Sequence, residues 1–206
     1  MRTFTIPTKP YCFRLYSRKE VTLFTGLTAL IGCNGSGKST LMMLLKDELK
    51  HDENALVLEY DDRQNGGHNL MEKFGFTGNM EGLATMFSSS EGEKIMIGIG
   101  DFVRRMRREI QRNNPKQIWI FFDAIGSGLS IDGIREIKEF ADIVIEDNQG
   151  TDVYFVVSTN EYEFTIGADC IDVTTFGHAV FTQYDTYRDF ILRTRKKKDR
   201  RFASKT

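Results

Sequence analysis

The sequence predicts an α/β fold: a central, mostly parallel sheet flanked by helices, with a small antiparallel β-subdomain at the N-terminus and a short helical insertion. Three observations predict it. The apolar run Ala29–Ile31 leads through a glycine-rich octapeptide into a helical pattern. Two later runs, Ile118–Phe122 and Val153–Val157, are continuously apolar, as expected of strands covered on both faces. The stretches that follow the octapeptide and flank these runs carry apolar residues at helical rather than alternating spacing.

In chain order, residues 2–6, 12–16 and 21–25 are rich in β-branched and aromatic side chains and read as short strands, the first two separated by Pro7 and Pro10. Tyr11, Phe13, Tyr16 and Arg18 are candidates for stacking on a nucleotide base, against the plainer reading of strand packing. Residues 39–50 form a helix with Leu41, Leu44, Leu45 and Leu49 on one face, and Ala55–Tyr60 is the next strand. Residues 61–67 are a loop by their turn chemistry, and 69–87 read as one or two short helices broken at Gly75, Gly78 and Gly82. After Ser88–Lys94, the residues Ile95, Ile99, Phe102, Val103, Met106 and Ile110 mark a long amphipathic helix that ends at Asn113-Asn114-Pro115. Its other face carries Arg104, Arg105, Arg107, Arg108 and Arg112, a solvated face or a docking surface. A helix over roughly 132–145 turns Ile134, Ile137, Ala141, Val144 and Ile145 inward. Residues 171–174 and 179–182 read as a terminal hairpin turning at Gly177-His178, and 183–195 as a helix.

The chain has 206 residues, with 40% hydrophobic and 28% charged, enough for one domain with an unstapled core. We read residues 1–192 as that domain. The net charge of −1 hides an asymmetry: residues 193–206 carry eight cations and one acid, so the body is near −8 and the tail near +7. An acidic body argues against nonspecific nucleic-acid binding by the fold itself. The basic tail is expected to be solvated and disordered, with nucleic acid as its alternative partner. Cys12, Cys33 and Cys170 lack metal spacing and read as free thiols of a reducing, cytoplasmic compartment. No apolar run approaches the ~18 residues of a membrane span, which argues against direct membrane insertion.

The octapeptide Gly32-Cys33-Asn34-Gly35-Ser36-Gly37-Lys38-Ser39 fits the phosphate-binding pattern G-x-x-x-x-G-K-[ST]. Its glycines let backbone N–H groups approach phosphate oxygens, Lys38 adds a cation, and Ser39 offers a hydroxyl to Mg²⁺. The following helix points its positive end at the anion. Asp123, at the carboxyl end of a buried strand, is placed to hold Mg²⁺ directly or through water.

Taken together, the motifs resemble those of ATP-binding-cassette (ABC) ATPases of the soluble, non-transporter kind. Gly32–Thr40 resembles Walker A and Ile118–Asp123 resembles Walker B. Ser89-Ser90-Glu91-Gly92-Glu93 is similar to the ABC signature, with Glu93 in the place of its glutamine. Ser130-Ile131-Asp132 resembles the D-loop, and Asn160 stands at the switch position, usually His. The resemblance implies ATP and Mg²⁺ as cofactors, bound by Asn34, Gly35, Ser36, Gly37, Lys38, Ser39 and Thr40, with Gln64 as a Q-loop metal residue beside Ser39 and Asp123. It implies a head-to-tail homodimer, in which Ser90, Gly92 and Glu93 of one copy close the site of the other.

Lys38, Asp123 and Asn160 are then the catalytic candidates. The glutamate that orients the attacking water in this family is here Ala124, and a methyl group can neither orient water nor accept its proton. Hydrolysis is therefore expected to be slow, unless Glu161 substitutes. The expected role is an ATP-gated switch for a protein partner. The alternatives are a DNA-repair or replication ATPase, a transporter nucleotide-binding subunit, and an ATP-binding module without turnover.

Overall fold

The structure is a computed structural model, and it describes residues 1–7, 16–61, 85, 89–123, 125 and 129–203. Strands β1 (Arg2–Thr5) and β2 (Glu20–Leu23) pair antiparallel as a separate two-stranded sheet. Strand β3 (Gly26–Ile31) leads through the glycine-rich loop into α1 (Lys38–Leu49), followed by β4 (Ala55–Asp61) and α2 (Glu91–Asn113). Then come β5 (Gln117–Asp123), α3 (Ile131–Asp147), β6 (Asp152–Ser158) and a 3₁₀ turn at Tyr162–Thr165. The chain continues with β7 (Asp169–Asp172), β8 (Gly177–Ala179) and α4 (Tyr184–Ala203). The main sheet has the order β4-β5-β6-β3-β7-β8 and is parallel except for β7 with β8. This is the α/β architecture the sequence predicts.

Alternation along the buried strands builds two cores. Ile118, Ile120 and Phe122 of β5 and Val153, Phe155 and Val157 of β6 pack with Ile95, Ile99 and Phe102 of α2, Ile134 and Ile137 of α3, and Tyr187 and Phe190 of α4. Trp119, Phe121, Tyr154 and Val156 face the other way, toward Leu41 and Leu45 of α1 and Phe4 and Leu23 of the small sheet. Trp119 and Tyr154 stack with centroids 3.8 Å apart. Both faces of the central strands are therefore dry, and polar chemistry is confined to strand ends.

Those ends coincide. Register pairs Leu30 of β3 with Ser158 of β6, and Phe122 of β5 with Val157, so the glycine-rich loop, Asp123 and Ser158 emerge along one edge. This is the carboxyl edge at which open α/β sheets bind ligands.

Two expectations require correction. The terminal hairpin turns at Val173–Phe176, not at Gly177-His178, which lie in β8. Buried Asp172 accepts from the Thr174 N–H (2.8 Å) and the Thr174 and Thr175 hydroxyls (2.7 and 2.9 Å). That network bends the chain before the glycine is reached, and Phe176 takes the positive φ of 54°. The basic segment is also not a disordered tail over its described part: α4 runs to Ala203. An Arg195–Asp199 pair at i, i+4 stabilises it, and Thr194 is buried.

Candidate functional site

The loop between β3 and α1 depends on backbone conformations closed to most side chains. Gly32 has φ +150°, and a Cβ there would sit 2.6 Å from Ser36 Oγ and 3.2 Å from a methyl of Val173. Gly35 and Gly37 have φ of +74° and +102°. The turn closes by Ser36 N–H donating to Cys33 O at 3.0 Å, and α1 begins without a side-chain cap at Gly37. Its first N–H groups therefore remain for an anion.

Around this loop lies a cavity of about 670 Å³. Its lining includes Asn34, Gly35, Lys38, Ser39, Asn160 and Glu161. Lys38 Nζ donates to Gly32 O at 2.8 Å, Cys33 O at 3.4 Å and Asn160 Oδ1 at 2.7 Å. Burial lowers its pKa to about 8, offset in part by Cys33 and Asp123. Asn160 also donates from Nδ2 to Asn34 Oδ1, so its amide bridges the loop tip and the lysine. Ser39 Oγ donates to Asp123 Oδ1 at 3.0 Å, and Ser158 Oγ donates to the same oxygen at 2.5 Å. The structure thus brings the loop, Lys38, Ser39, Asp123 and Asn160 together. Ser158 is an addition: only the β5–β6 register shows that it reaches Asp123.

The cradle fits a phosphate chain. It offers an uncapped helix start, glycines at positive φ, and a buried ammonium held by carbonyl and amide oxygens rather than by a carboxylate. Ser39 and Asp123 supply one hydroxyl and one carboxylate, and among the described residues no cluster of three or more His, Cys, Asp or Glu side chains could hold a metal. Such a sparse donor set suits Mg²⁺ that keeps waters and phosphate ligands rather than a protein cage.

Residues 21–116 match the family model described as ABC transporter. Residues 21–116, 96 of the chain's 206 residues, are thus similar to an ABC-type ATPase domain. No curated protein matches it significantly. The matched stretch contains the glycine-rich loop and Ser90 and ends just before β5, so Asp123 lies beyond it. The similarity supports nucleotide binding.

The residues that resemble the signature lie elsewhere. Ser90 caps α2: its Oγ accepts from the Glu93 N–H at 3.3 Å, and Glu93 Oε2 accepts from the Ser90 N–H at 2.6 Å, a reciprocal capping box. The backbone N–H and hydroxyl of Ser90 hold the Glu93 carboxyl below its usual pKa. Ser90, Gly92 and Glu93 line a second cavity together with Leu129, Ser130 and Asp132 of the D-loop stretch. It shares no lining residue with the first.

Tyr16 is not a free base-stacking residue. It is buried, its ring lies 5.0 Å from that of Phe176, and its hydroxyl donates to Gly37 O at 2.7 Å. Arg105 of the arginine face donates to Glu59 O at 3.0 Å and lies over the Phe102 ring, so that face is partly structural. Gln64, Ala124, Tyr11 and Phe13 lie outside the described residues. Sequence reasoning missed Thr194 and Lys198 of α4, which reach the loop from the far end of the chain. The helical spacing Tyr187, Phe190, Ile191, Thr194, Lys198 was the available signal, hidden because the stripe turns polar.

Proposed function

We propose that the chain binds Mg²⁺-ATP and forms an ATP-sandwiched head-to-tail homodimer that switches a protein partner. The observation that supports this reading is the separation of the two cavities. Lys38 and Ser39 line one and Ser90 and Gly92 the other, so one copy does not bring the two motifs to one nucleotide. A second copy supplies the missing half. In this reading Lys38 and the loop N–H groups hold the phosphates, and Ser39 and Asp123 hold Mg²⁺, which neutralises phosphate charge. The α2 N-terminus of the partner copy faces the terminal phosphate. Ser130, Ile131 and Asp132 lie beside that surface, and Ile131 is left 62% exposed.

Light scattering with ATP–Mg²⁺ against ADP tests the dimer. The expected result is a doubling of mass with ATP only, lost in Ser90→Arg and in Lys38→Ala. An unchanged ATP-dependent mass in Ser90→Arg sinks the sandwich.

A second reading, an ATP-holding module with little turnover, is favoured by two side chains. Ala124 has no carboxylate, and Asn160 at the switch position offers an amide without a useful titration. Phosphate release no faster than in Lys38→Ala would select this reading, and faster release would select a hydrolysing switch with Glu161 as the residue to test next.

A further inference from the structure

Helix α4 reaches the outer side of the phosphate loop. Thr194 Oγ accepts the Cys33 N–H at 3.3 Å while donating to Ile191 O at 2.8 Å. One turn further, Lys198 Nζ donates to Asn34 O at 2.9 Å and lies over Gly35, where a Cβ would come within 3.4 Å of it. Tyr187 and Phe190 anchor the first half of the helix in the core. The two polar contacts thus fix two consecutive loop residues, 33 and 34, from a segment some 160 positions away.

The geometry points to Thr194 and Lys198 as positioning residues for nucleotide binding, through which docking of α4 and occupancy of the phosphate loop reinforce each other. Two physical effects act in the same direction. A glycine-rich loop loses much backbone freedom when it closes on a ligand, and anchoring residues 33 and 34 removes part of that loss beforehand. An ammonium on the Asn34 carbonyl also polarises the peptide that it shares with Gly35, which strengthens the Gly35 N–H as a donor. Lys198 does not line the cavity, so it acts through the loop rather than on the nucleotide. Coupling of this kind is reciprocal: what helps the loop bind must, when bound, hold α4 more firmly.

The inference rests on the assignment of residues 32–40 as the nucleotide loop, and the test separates the two. A fluorescent ATP analogue with Mg²⁺ is titrated into the full chain, into Lys198→Met, Lys198→Arg and Thr194→Val, and into Lys38→Ala. Amide hydrogen exchange over 190–203 is followed with and without ATP–Mg²⁺. We expect Lys198→Met to bind about 3- to 10-fold more weakly, the size of an ordinary net hydrogen bond. Lys198→Arg should stay within about twofold of the parent and Thr194→Val should weaken in parallel, while ATP–Mg²⁺ slows exchange in α4. Parent-like or tighter binding by Lys198→Met overturns the proposal, as does exchange in α4 that ignores the nucleotide. If Lys38→Ala also binds like the parent, the loop assignment itself has failed. If Lys38→Ala loses binding while Lys198→Met does not, only the role of α4 has.

Discussion

Residues 32–40 are gripped from outside, whereas residues 89–93 hold themselves. The phosphate loop is contacted by Tyr16 from beyond β1, Asn160 after β6, Asp123 at the end of β5 and two residues of α4. The signature turn is held by its own capping box and by a bond from Ser89 Oγ to Thr85 O. A loop that must envelop a multiply charged anion gains from being shaped before the anion arrives. In the proposed dimer, the start of α2 would meet a ligand only when a second copy docks, and needs no such support. The Glu93 N–H takes a lone pair of the Ser90 hydroxyl rather than its proton, so this cap does not prevent donation to an acceptor.

The largest effect expected from breaking this contrast is at Gly32. Gly32→Ala forces a Cβ against Ser36 and Val173 at a φ that side chains rarely adopt, and should weaken ATP binding by roughly 100-fold or more while the sheet still forms. Equilibrium titration alongside circular dichroism checks both parts. Asp123→Asn comes next. It keeps the hydrogen-bonding shape toward Ser39 and Ser158 but removes the charge, and should abolish most of the benefit of Mg²⁺ for ATP binding, about tenfold. Titrations with Mg²⁺ and with EDTA measure that ratio.

The pH response of Lys38 is smaller and has a definite sign. Its pKa near 8 in the free chain rises when phosphate binds, so ATP binding takes up a proton above pH 8, and affinity falls by at most about tenfold per pH unit there. Below pH 7 this group contributes no slope. Calorimetry in buffers of different ionisation enthalpy should show the uptake, and Lys38→Arg should remove it. Stability moves the opposite way over the same range. Because the pKa lies below its value of 10.5 in the unfolded chain, this group makes folding more favourable as pH rises from 8 toward 10.5.

The smallest effect belongs to the signature end. Ser90→Ala removes a cap and should cost about 1 kcal/mol of stability, leave nucleotide affinity of the single copy unchanged, and reduce ATP-dependent dimerisation. A loss of single-copy affinity in this variant would mean that the two ends are not independent.

Much of this was readable in the residues. The octapeptide, the two dry strands and the helix periods are local patterns, and each element formed within a few positions of where its pattern lies. Asp123 was legible because a carboxylate that closes an apolar run ends a buried strand. The misreadings share one cause. Gly177 suggests the turn by its type, yet the carboxylate of Asp172 organises one over Val173–Phe176, just before it. Tyr16, in contrast, follows the plainer reading of packing, buried beside Phe176. The run of cations after Arg193 was read as a tail because charge repulsion disfavours order, until contacts at Thr194 and Lys198 and the buried stripe before them outweighed it.

By itself, the sequence determined the phosphate loop, the strand-and-helix alternation and the missing carboxylate at position 124, because these depend on residue type and short spacing. The tertiary structure alone decided which distant groups surround the loop. The partners of Lys38, Asp123 and Asn34 come from positions 160, 158 and 198, and strand register and helix packing bring them within hydrogen-bond reach. No local pattern encodes a contact of that range. It follows from the burial of two apolar faces, which aligns the strand ends and lays α4 across the loop.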